Sequence, residues 1–224
     1  MGSRVSGVGV LDKSAAVLEA VASAGRPLTL ADLVAATGLS RATAHRLGVA
    51  LETHGLLRRD AEGRFALGLR LIGLGRAAAD GWPLAEAARP VLEQLRVDTG
   101  ESVQLYVRDG DDRICVDSLE SAHELRTIVE IGARLPLSVG SAGRLLRGEA
   151  AGPAGWVESV EERAPGVASV SAAVRRPDGQ VVAAISVSGP LDRTTRDPGA
   201  KYGAAVVTAA RRVESAAGPS LSGG

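Results

Sequence analysis

One cysteine, Cys115, in 224 residues excludes an intrachain disulfide and any metal site built on several thiolates. Histidine is nearly as scarce. Only His123 lies in the long C-terminal part, so no zinc cluster of histidines and cysteines can be assembled there. No apolar run approaches the ~20 residues that cross a bilayer. The opening MGSRVSGVGV has no apolar core leading to a cleavage site, so a cytoplasmic protein without a membrane partner is expected. The chain has no Gly-x-x-x-x-Gly-Lys-Ser/Thr phosphate loop and no Gly-x-Ser-x-Gly elbow, since Gly140-Ser141-Ala142-Gly143 has the wrong spacing. A Cys115–His123 nucleophile pair is conceivable, but Cys115 alternates with polar neighbours in a strand-like stretch, and an inert buried thiol is the simpler reading. These absences argue against an enzyme and imply no cofactor and no metal.

The composition, 45% hydrophobic and 23% charged, is that of a soluble folded protein long enough for two modest domains. The balance of 26 basic and 26 acidic residues hides an asymmetry: residues 1–80 carry 10 Lys/Arg against 7 Asp/Glu, and residues 81–224 carry 16 against 19. The basic surplus lies in the N-terminal part. It is small enough that the placement of individual charges matters more than the total.

Residues 31–57, ADLVAATGLSRATAHRLGVALETHGLL, read as two short helices joined by a tight turn. Thr29 is placed to cap the first, whose apolar set is Leu30, Leu33, Val34 and, past the turn, Leu39. Gly38 marks the reversal, and Ser40 can accept from the free N–H groups that open the second helix. There Ala44, Leu47 and Leu51 recur at helical spacing and point inward, leaving Arg41, Thr43, His45 and Arg46 on the opposite face. That is the layout of a helix-turn-helix, whose second helix enters the major groove N-terminus first. Arginine offers forked donors to guanine or phosphate; Ser and Thr suit phosphate oxygens. Gly48 within this helix costs about 1 kcal/mol relative to Ala and suggests close approach of another helix. An earlier helix is expected over 10–24, with Leu11, Ala15, Leu18 and Val21 inward and Ala16, Val17 and Ala22 widening the face; Gly25-Arg26-Pro27 ends it.

After His54-Gly55, residues 56–67 read as a hairpin with a glycine in its tip, Leu57 opposing Phe65 on the inner face. A hairpin directly after a recognition helix is a wing that would bring Arg58, Arg59 and Arg64 to the DNA backbone. The alternative is that these arginines form an ordinary solvated face.

The run VLDKSAAVLEAV…PLTLADLVAATGLSRATAHRLGVALETHGLLRRDAEGRFALGLRLIGL, residues 10–75, resembles the N-terminal half of IclR-type bacterial transcriptional regulators, and within them most closely the actinobacterial NdgR type. The resemblance implies a two-domain α+β protein. A winged helix-turn-helix over 1–67 would be joined by a linker helix over 68–80 to an α/β effector-binding and oligomerisation domain with an antiparallel, GAF-like sheet over 81–218. Residues 219–224 would form a disordered tail. It also implies double-stranded DNA with a palindromic operator as one partner and a small-molecule effector, an amino acid or keto acid, as another, with the chain acting as a homodimer or dimer of dimers.

Leu69 and Ile72, with the small residues Gly73, Gly75, Ala77 and Ala78, suit a linker helix that packs closely on a second copy, and Gly81-Trp82-Pro83 marks the boundary. An amphipathic helix follows over 84–97, with Leu84, Ala87, Ala88, Val91, Leu92 and Leu95 inward. Strands are expected over 102–108, with Val103, Leu105 and Val107 on one face, then over 113–119 and 125–131. The acidic 109–112 turn is a hairpin tip, because it lacks the further carboxylate of a calcium loop.

Residues 133–147 run from an extended segment into a helix capped by Ser141. The free N–H groups of Ser141, Ala142 and Gly143 are a natural cradle for a carboxylate, or simply a strand-to-helix corner. By resemblance this segment, including Val139, Gly140, Ser141 and Ala142, lines the effector pocket. The strands 167–174 and 181–188, ending in Ser-Gly-Pro, resemble the C-terminal signature of the same regulators. Alternation places Ser169 and Ser171 together, and Ser186 and Ser188 together. Such hydroxyls suit a small polar ligand or face solvent. A closing helix is expected over 203–217. Two departures bear on the pocket: the segment between Arg147 and Gly155 is short where relatives carry another helix or two, and Ser159 stands where many carry an acidic residue.

Overall fold

Apolar side chains gather in separate cores on either side of residue 81 in the computed structural model, which describes residues 7–80 and 83–218. The chain divides into Met1–Gly81 and Trp82–Gly224. The expected tail at 219–224 and the Gly81-Trp82 part of the boundary lie outside the described residues.

The first unit holds α1 (Gly9–Ser23), α2 (Leu30–Thr37), α3 (Arg41–Thr53), the hairpin strands β1 (Leu57–Arg59) and β2 (Phe65–Leu67), and α4 (Arg70–Asp80). Thr29 and Asp32 form a reciprocal capping box on α2, and Gly38 ends that helix at φ 67°. Ser40 Oγ then accepts from the Thr43 N–H (3.3 Å) and caps α3. In α1 the buried residues are Val17 and Val21, with Leu18 and Ala20 partly covered, while Leu11 is 61% exposed. The buried stripe is therefore narrower than expected, because only the later turns of α1 lie over the core. Leu57 and Phe65 do share the inner face, but the register pairs Leu57 with Leu67 and Arg59 with Phe65. Leu28 exchanges backbone hydrogen bonds with Phe65 (2.8 and 2.7 Å) and anchors the hairpin to the segment before α2. Gly68 is not part of the linker helix. It is buried, donates to the Leu56 carbonyl (2.9 Å), and leaves no space for a Cβ against the Gly55 carbonyl, so α4 starts at Arg70.

The second unit holds α5 (Pro83–Thr99), β3 (Ser102–Asp109), β4 (Asp112–Leu119), β5 (Arg134–Pro136), α6 (Ser141–Leu146), β6 (Val157–Val160), β7 (Val167–Arg175), β8 (Val181–Pro190), α7 (Leu191–Thr194) and α8 (Pro198–Ala217). The strands form one six-stranded antiparallel sheet in the order β5-β4-β3-β8-β7-β6. Because side chains alternate across a strand, Val103, Leu105 and Val107 of β3 share one face with Val187, Ile185 and Ala183 of β8 and Val170, Ala172 and Val174 of β7. That face is covered by α5 and α8. The opposite face carries Tyr106, Cys115 and Ala184 against Ala142 and Leu146 of α6.

The expected strand over 125–131 is absent. Leu125, Ile128 and Ile131 are all more than half exposed, a spacing of three that does not fit the two-residue alternation of a strand. The edge beside β4 is taken instead by the residues that follow. Gly132 donates to the Cys115 carbonyl, Ala133 accepts from the Cys115 N–H, and β5 completes the pairing.

Gly48 is explained by the wing rather than by another helix. A Cβ at this position would stand 2.7 Å from Cζ and 2.8 Å from Cε1 of Phe65, whose ring tip abuts α3 here. Helix propensity alone would make Gly48→Ala stabilising by about 1 kcal/mol, but forcing a methyl into a packed core costs roughly 1–3 kcal/mol. Displacement of a fully buried aromatic ring wins. Gly48→Ala should lower the melting temperature of the protein in calorimetry; a variant that melts higher than wild type would show that the ring yields without penalty.

Candidate functional site

The outer face of α3 is basic and open. Arg41, His45 and Arg46 are exposed, and Thr43 is half-buried, receiving a hydrogen bond from Ser40 Oγ (2.9 Å). Neither Arg41 nor Arg46 has a carboxylate partner among the described residues. The hairpin arginines differ from one another. Arg58 is exposed and unpaired among the described residues. Arg59 donates to Glu52 (3.0 Å) and stacks its guanidinium 4.3 Å above the Phe65 ring. Arg64 is bound to Asp60 (2.7 Å) and Glu62 (2.9 Å), with the Asp60 hydrogen bond foremost in holding its guanidinium above the ordinary arginine value. Thr29 is engaged in its capping box. The expected contacts therefore fall into two groups: Arg41, His45, Arg46 and Arg58 have no carboxylate partner among the described residues, whereas Arg59 and Arg64 would have to give one up to meet a phosphate. Exposed pairs such as Arg64–Glu62 are worth about 0–1 kcal/mol, whereas Asp60, only 15% exposed, holds Arg64 more firmly.

The second candidate lies on the α6 side of the large sheet. Its registers align Ser159 with Ser169, Ser169 with Ser188, Ser188 with Ser102, Ser171 with Ser186 and Ser186 with Gln104. The two serine pairs expected on separate strands thus merge into one polar patch. Gly140, Ser141, Ala142, Ser159, Ser169, Ser186 and Ser188 line a narrow cavity of about 30 Å³ against this patch. Ser171 is fully buried behind it. Val139 contributes its carbonyl to Arg113. Ser141 does not cap α6: Gly140 is the N-cap, and Ser141 Oγ bonds to the hydroxyls of Ser169 and Ser171 (2.8 Å each). Beside the cradle expected at Ser141, Ala142 and Gly143, the Gly140 N–H donates to Glu162 Oε2 (2.8 Å), and Arg144 holds Glu162 and Glu149.

The cavity also contains residues the sequence reading missed: Gln104, Tyr106, Arg113, Arg163 and Val167. Gln104 and Tyr106 were signalled by alternation, since Val103, Leu105 and Val107 facing the helices send the intervening residues to the other side. Arg113 was signalled more weakly, as an arginine at an inward position of a strand. The residue is 3% exposed, and its guanidinium donates from Nη1 to the carbonyls of Pro136 (2.5 Å) and Val139 (2.7 Å). A side chain at position 143 would collide with that same Nη1 and with the Leu137 carbonyl, which accounts for Gly143.

Cys115 is buried, and its thiol donates to the Asp117 carbonyl (3.3 Å). His123 is exposed, on the segment after β4. Among the described residues no three His, Cys, Asp or Glu side chains are grouped to hold a metal ion, and no helix is long and apolar enough to cross a membrane.

Comparison with known proteins agrees with this division of the chain. The IclR helix-turn-helix domain family matches residues 10–61. The family of the bacterial transcriptional regulator IclR C-terminal domain matches 76–151 and 149–215. This chain belongs to the IclR family. The break in the IclR C-terminal match falls where the segment after Arg147 is short. The HTH-type transcriptional regulator KipR of Bacillus subtilis (strain 168) is 39% identical over 117 residues, 52% of this chain and 47% of KipR. The transcriptional repressor IclR of Escherichia coli (strain K12) is 26% identical over 245 residues, 93% of this chain and 89% of that protein. Among solved structures, an IclR homolog from Microbacterium hydrocarbonoxydans complexed with 4-hydroxybenzoate superposes with a TM-score of 0.77 at 22% identity, covering 92% of this chain and 98% of that one. A transcriptional regulator from Rhodococcus sp. RHA1 superposes with a TM-score of 0.76 at 25% identity, covering 93% and 98%. These IclR relatives are regulators, and the fold is theirs.

Burial first, then the Asp117 charge, pushes the Cys115 thiol up to about 12. At pH 8 almost no thiolate is present to act as a nucleophile. Native protein treated with iodoacetamide at pH 8 should stay unmodified by mass spectrometry and react fully once denatured; stoichiometric labelling of folded protein would contradict the buried placement.

Proposed function

We propose that this IclR-family chain is a ligand-responsive transcriptional regulator that binds double-stranded DNA at a roughly palindromic operator, as a homodimer or dimer of dimers, in the cytoplasm and without catalytic activity. In this reading α3 lies in the major groove with Arg41 and Arg46 toward base edges and Thr43 and His45 beside them. Ser40 and Thr29 meet phosphates, and the hairpin carries Arg58, Arg59 and Arg64 along the backbone. The observation that carries it is the pair of exposed guanidiniums of Arg41 and Arg46, unpartnered among the described residues, on the first two turns of a capped helix. Exposed Leu69, Ile72 and Leu74 along and just before α4 support pairing with a second copy. An effector, an amino acid or a keto acid, would occupy the serine-lined cavity; its preference for one of two dimer arrangements would set the spacing of the recognition helices. The 4-hydroxybenzoate bound by the Microbacterium relative is itself a carboxylate. By its finer resemblance to the NdgR type, the regulated genes would serve amino-acid or small-carboxylate metabolism.

A second reading, in which the C-terminal unit only oligomerises, is favoured by the tightness of the cavity. It offers about 30 Å³, little more than ordered water needs. An enzyme with an accessory helix-turn-helix has no observation in its favour.

Sequencing genomic fragments retained by the protein supplies an operator. Against that operator, Arg41→Ala or Arg46→Ala should weaken binding by about 1–3 kcal/mol per subunit in fluorescence anisotropy, with folding unchanged; full affinity in both variants removes α3 from the groove. Ser141→Trp should abolish the effector response while sparing operator binding. An unaltered ligand titration in that variant would move the effector elsewhere.

A further inference from the structure

The recognition helix α3 carries one acidic residue, Glu52, at an unfavourable place. It lies in the last turn, where the negative pole of the helix disfavours a carboxylate, and an acid beside a phosphate-binding face repels the ligand. Asp60 differs: it also accepts the Glu62 and Arg64 N–H groups (3.1 and 2.8 Å) and so shapes the hairpin tip. Among the described residues the Glu52 carboxylate bonds Arg59 alone. The hairpin register explains how the two meet. Arg59 stands opposite Phe65, and directly opposed residues share a face, so Arg59 points to the α3 side of the hairpin and Arg58 to the other. There the Arg59 guanidinium lies 4.3 Å from the centre of the buried Phe65 ring. It donates from Nε to Glu52 Oε2 (3.0 Å) and from Nη1 to the Gly63 carbonyl (3.2 Å). One cation thus ties together the end of α3, the ring that abuts Gly48 and the hairpin turn.

We propose that Glu52 determines specificity for the operator as a positioning residue acting through Arg59: it holds that guanidinium as a strut between α3 and the hairpin and keeps it from the phosphates of arbitrary DNA. This rests on the DNA-binding reading above and narrows it, leaving Arg58 and Arg64 as the backbone contacts of the hairpin. Non-specific binding is essentially phosphate neutralisation, so a cation withheld from phosphates weakens it. Operator binding needs instead a hairpin held at a fixed angle to the helix that reads the bases, and the strut supplies that angle. Withholding the cation and fixing the angle both widen the ratio of operator to non-operator affinity.

The test measures the full-length protein on the operator and on a scrambled duplex of the same length, each across a salt series. Glu52→Gln should bind the scrambled duplex about threefold more tightly or better, with log affinity against log salt steeper by about 0.9, the mark of one added phosphate contact. Its operator affinity should stay level or fall. Glu52→Asp, which keeps the charge but draws it back from Arg59, should shift the ratio of the two affinities the same way. Arg59→Gln should weaken operator binding without changing the salt slope, since a strut releases no counterion. In the double variant the gain on scrambled DNA should vanish, because it needs the freed guanidinium. A gain that survives there would reduce Glu52 to simple repulsion, and an operator slope about 0.9 shallower in Arg59→Gln would make Arg59 a direct phosphate contact. A merely structural pair would lower the melting temperature of the variants and leave the ratio alone. Any of these three results, or an equal gain on both duplexes, overturns the proposal. Wild-type binding keeps the two readings apart: if the operator is held and the variants keep the wild-type ratio, the Glu52 assignment falls alone, and if no DNA is held, both fall.

Discussion

Two-residue alternation across a single antiparallel sheet is the constraint on which the C-terminal unit depends. On one side of β3, β7 and β8 lies a row of Val, Leu, Ile and Ala that only helices can cover, and α5 and α8 cover it. The same registers then oblige Gln104, Ser169, Ser171, Ser186 and Ser188 to meet on the other side. A one-residue slip would exchange the two rows, burying hydroxyls under α8 and presenting valines to α6. The polar patch is therefore a geometric consequence of burying the apolar face. Ser141 Oγ, bonded to both Ser169 and Ser171, ties the start of α6 to that patch.

In the N-terminal unit the decisive contact is Phe65 on Gly48. With Leu57, Leu51 and Leu33 it forms a small core that fixes the hairpin against α3. A unit this small buries little apolar surface, and each contact carries a larger share of its stability. The caps at Thr29 and Ser40 add roughly 1 kcal/mol each and, more usefully, set where the helices begin. The charges on its surface are arranged unevenly. Glu52, Asp60 and Glu62 restrain Arg59 and Arg64 of the hairpin, whereas Arg58 and the arginines of α3 have no carboxylate partner among the described residues. If the hairpin lies along phosphates and α3 meets base edges, as proposed, this unevenness would separate positioning from readout.

How much of this was legible in the sequence depends on whether the signal was local. Capping residues, the Gly38 turn, the hairpin and the apolar face of α5 are local, and they were readable from side-chain chemistry and spacing. The resemblance carried the rest of the two-domain plan. What failed depended on partners distant in sequence. The segment 125–131 looked like a strand by composition, yet the edge it would have occupied belongs to β5. Ser141 looked like a cap, yet its hydroxyl is drawn to β7. Gly48 looked like a helix–helix contact, because a ring from residue 65 cannot be seen in the helix itself. Arg113 was passed over since an arginine in a strand is ordinarily solvent-facing; only the register of β4, β5 and α6 makes it an interior cation.

That interior cation bears on how a ligand would act. An effector shifts an equilibrium only by its difference in affinity between two states. Moving a population from 1:99 to 99:1 takes about 5.5 kcal/mol of such difference, more than hydroxyl contacts to a small neutral molecule supply. A charge-assisted hydrogen bond to a buried guanidinium is of the right size, provided that it forms in one state and not in the other. The loop that carries Glu161, Glu162 and Arg163 is the element able to make that difference. Arg163 lines the cavity while its neighbour Glu162 bonds both Gly140 N–H and Arg144 across it. An entering carboxylate would compete with Glu162 for the amide of Gly140 and attract Arg163, so charge alone would redistribute the loop between two sets of partners.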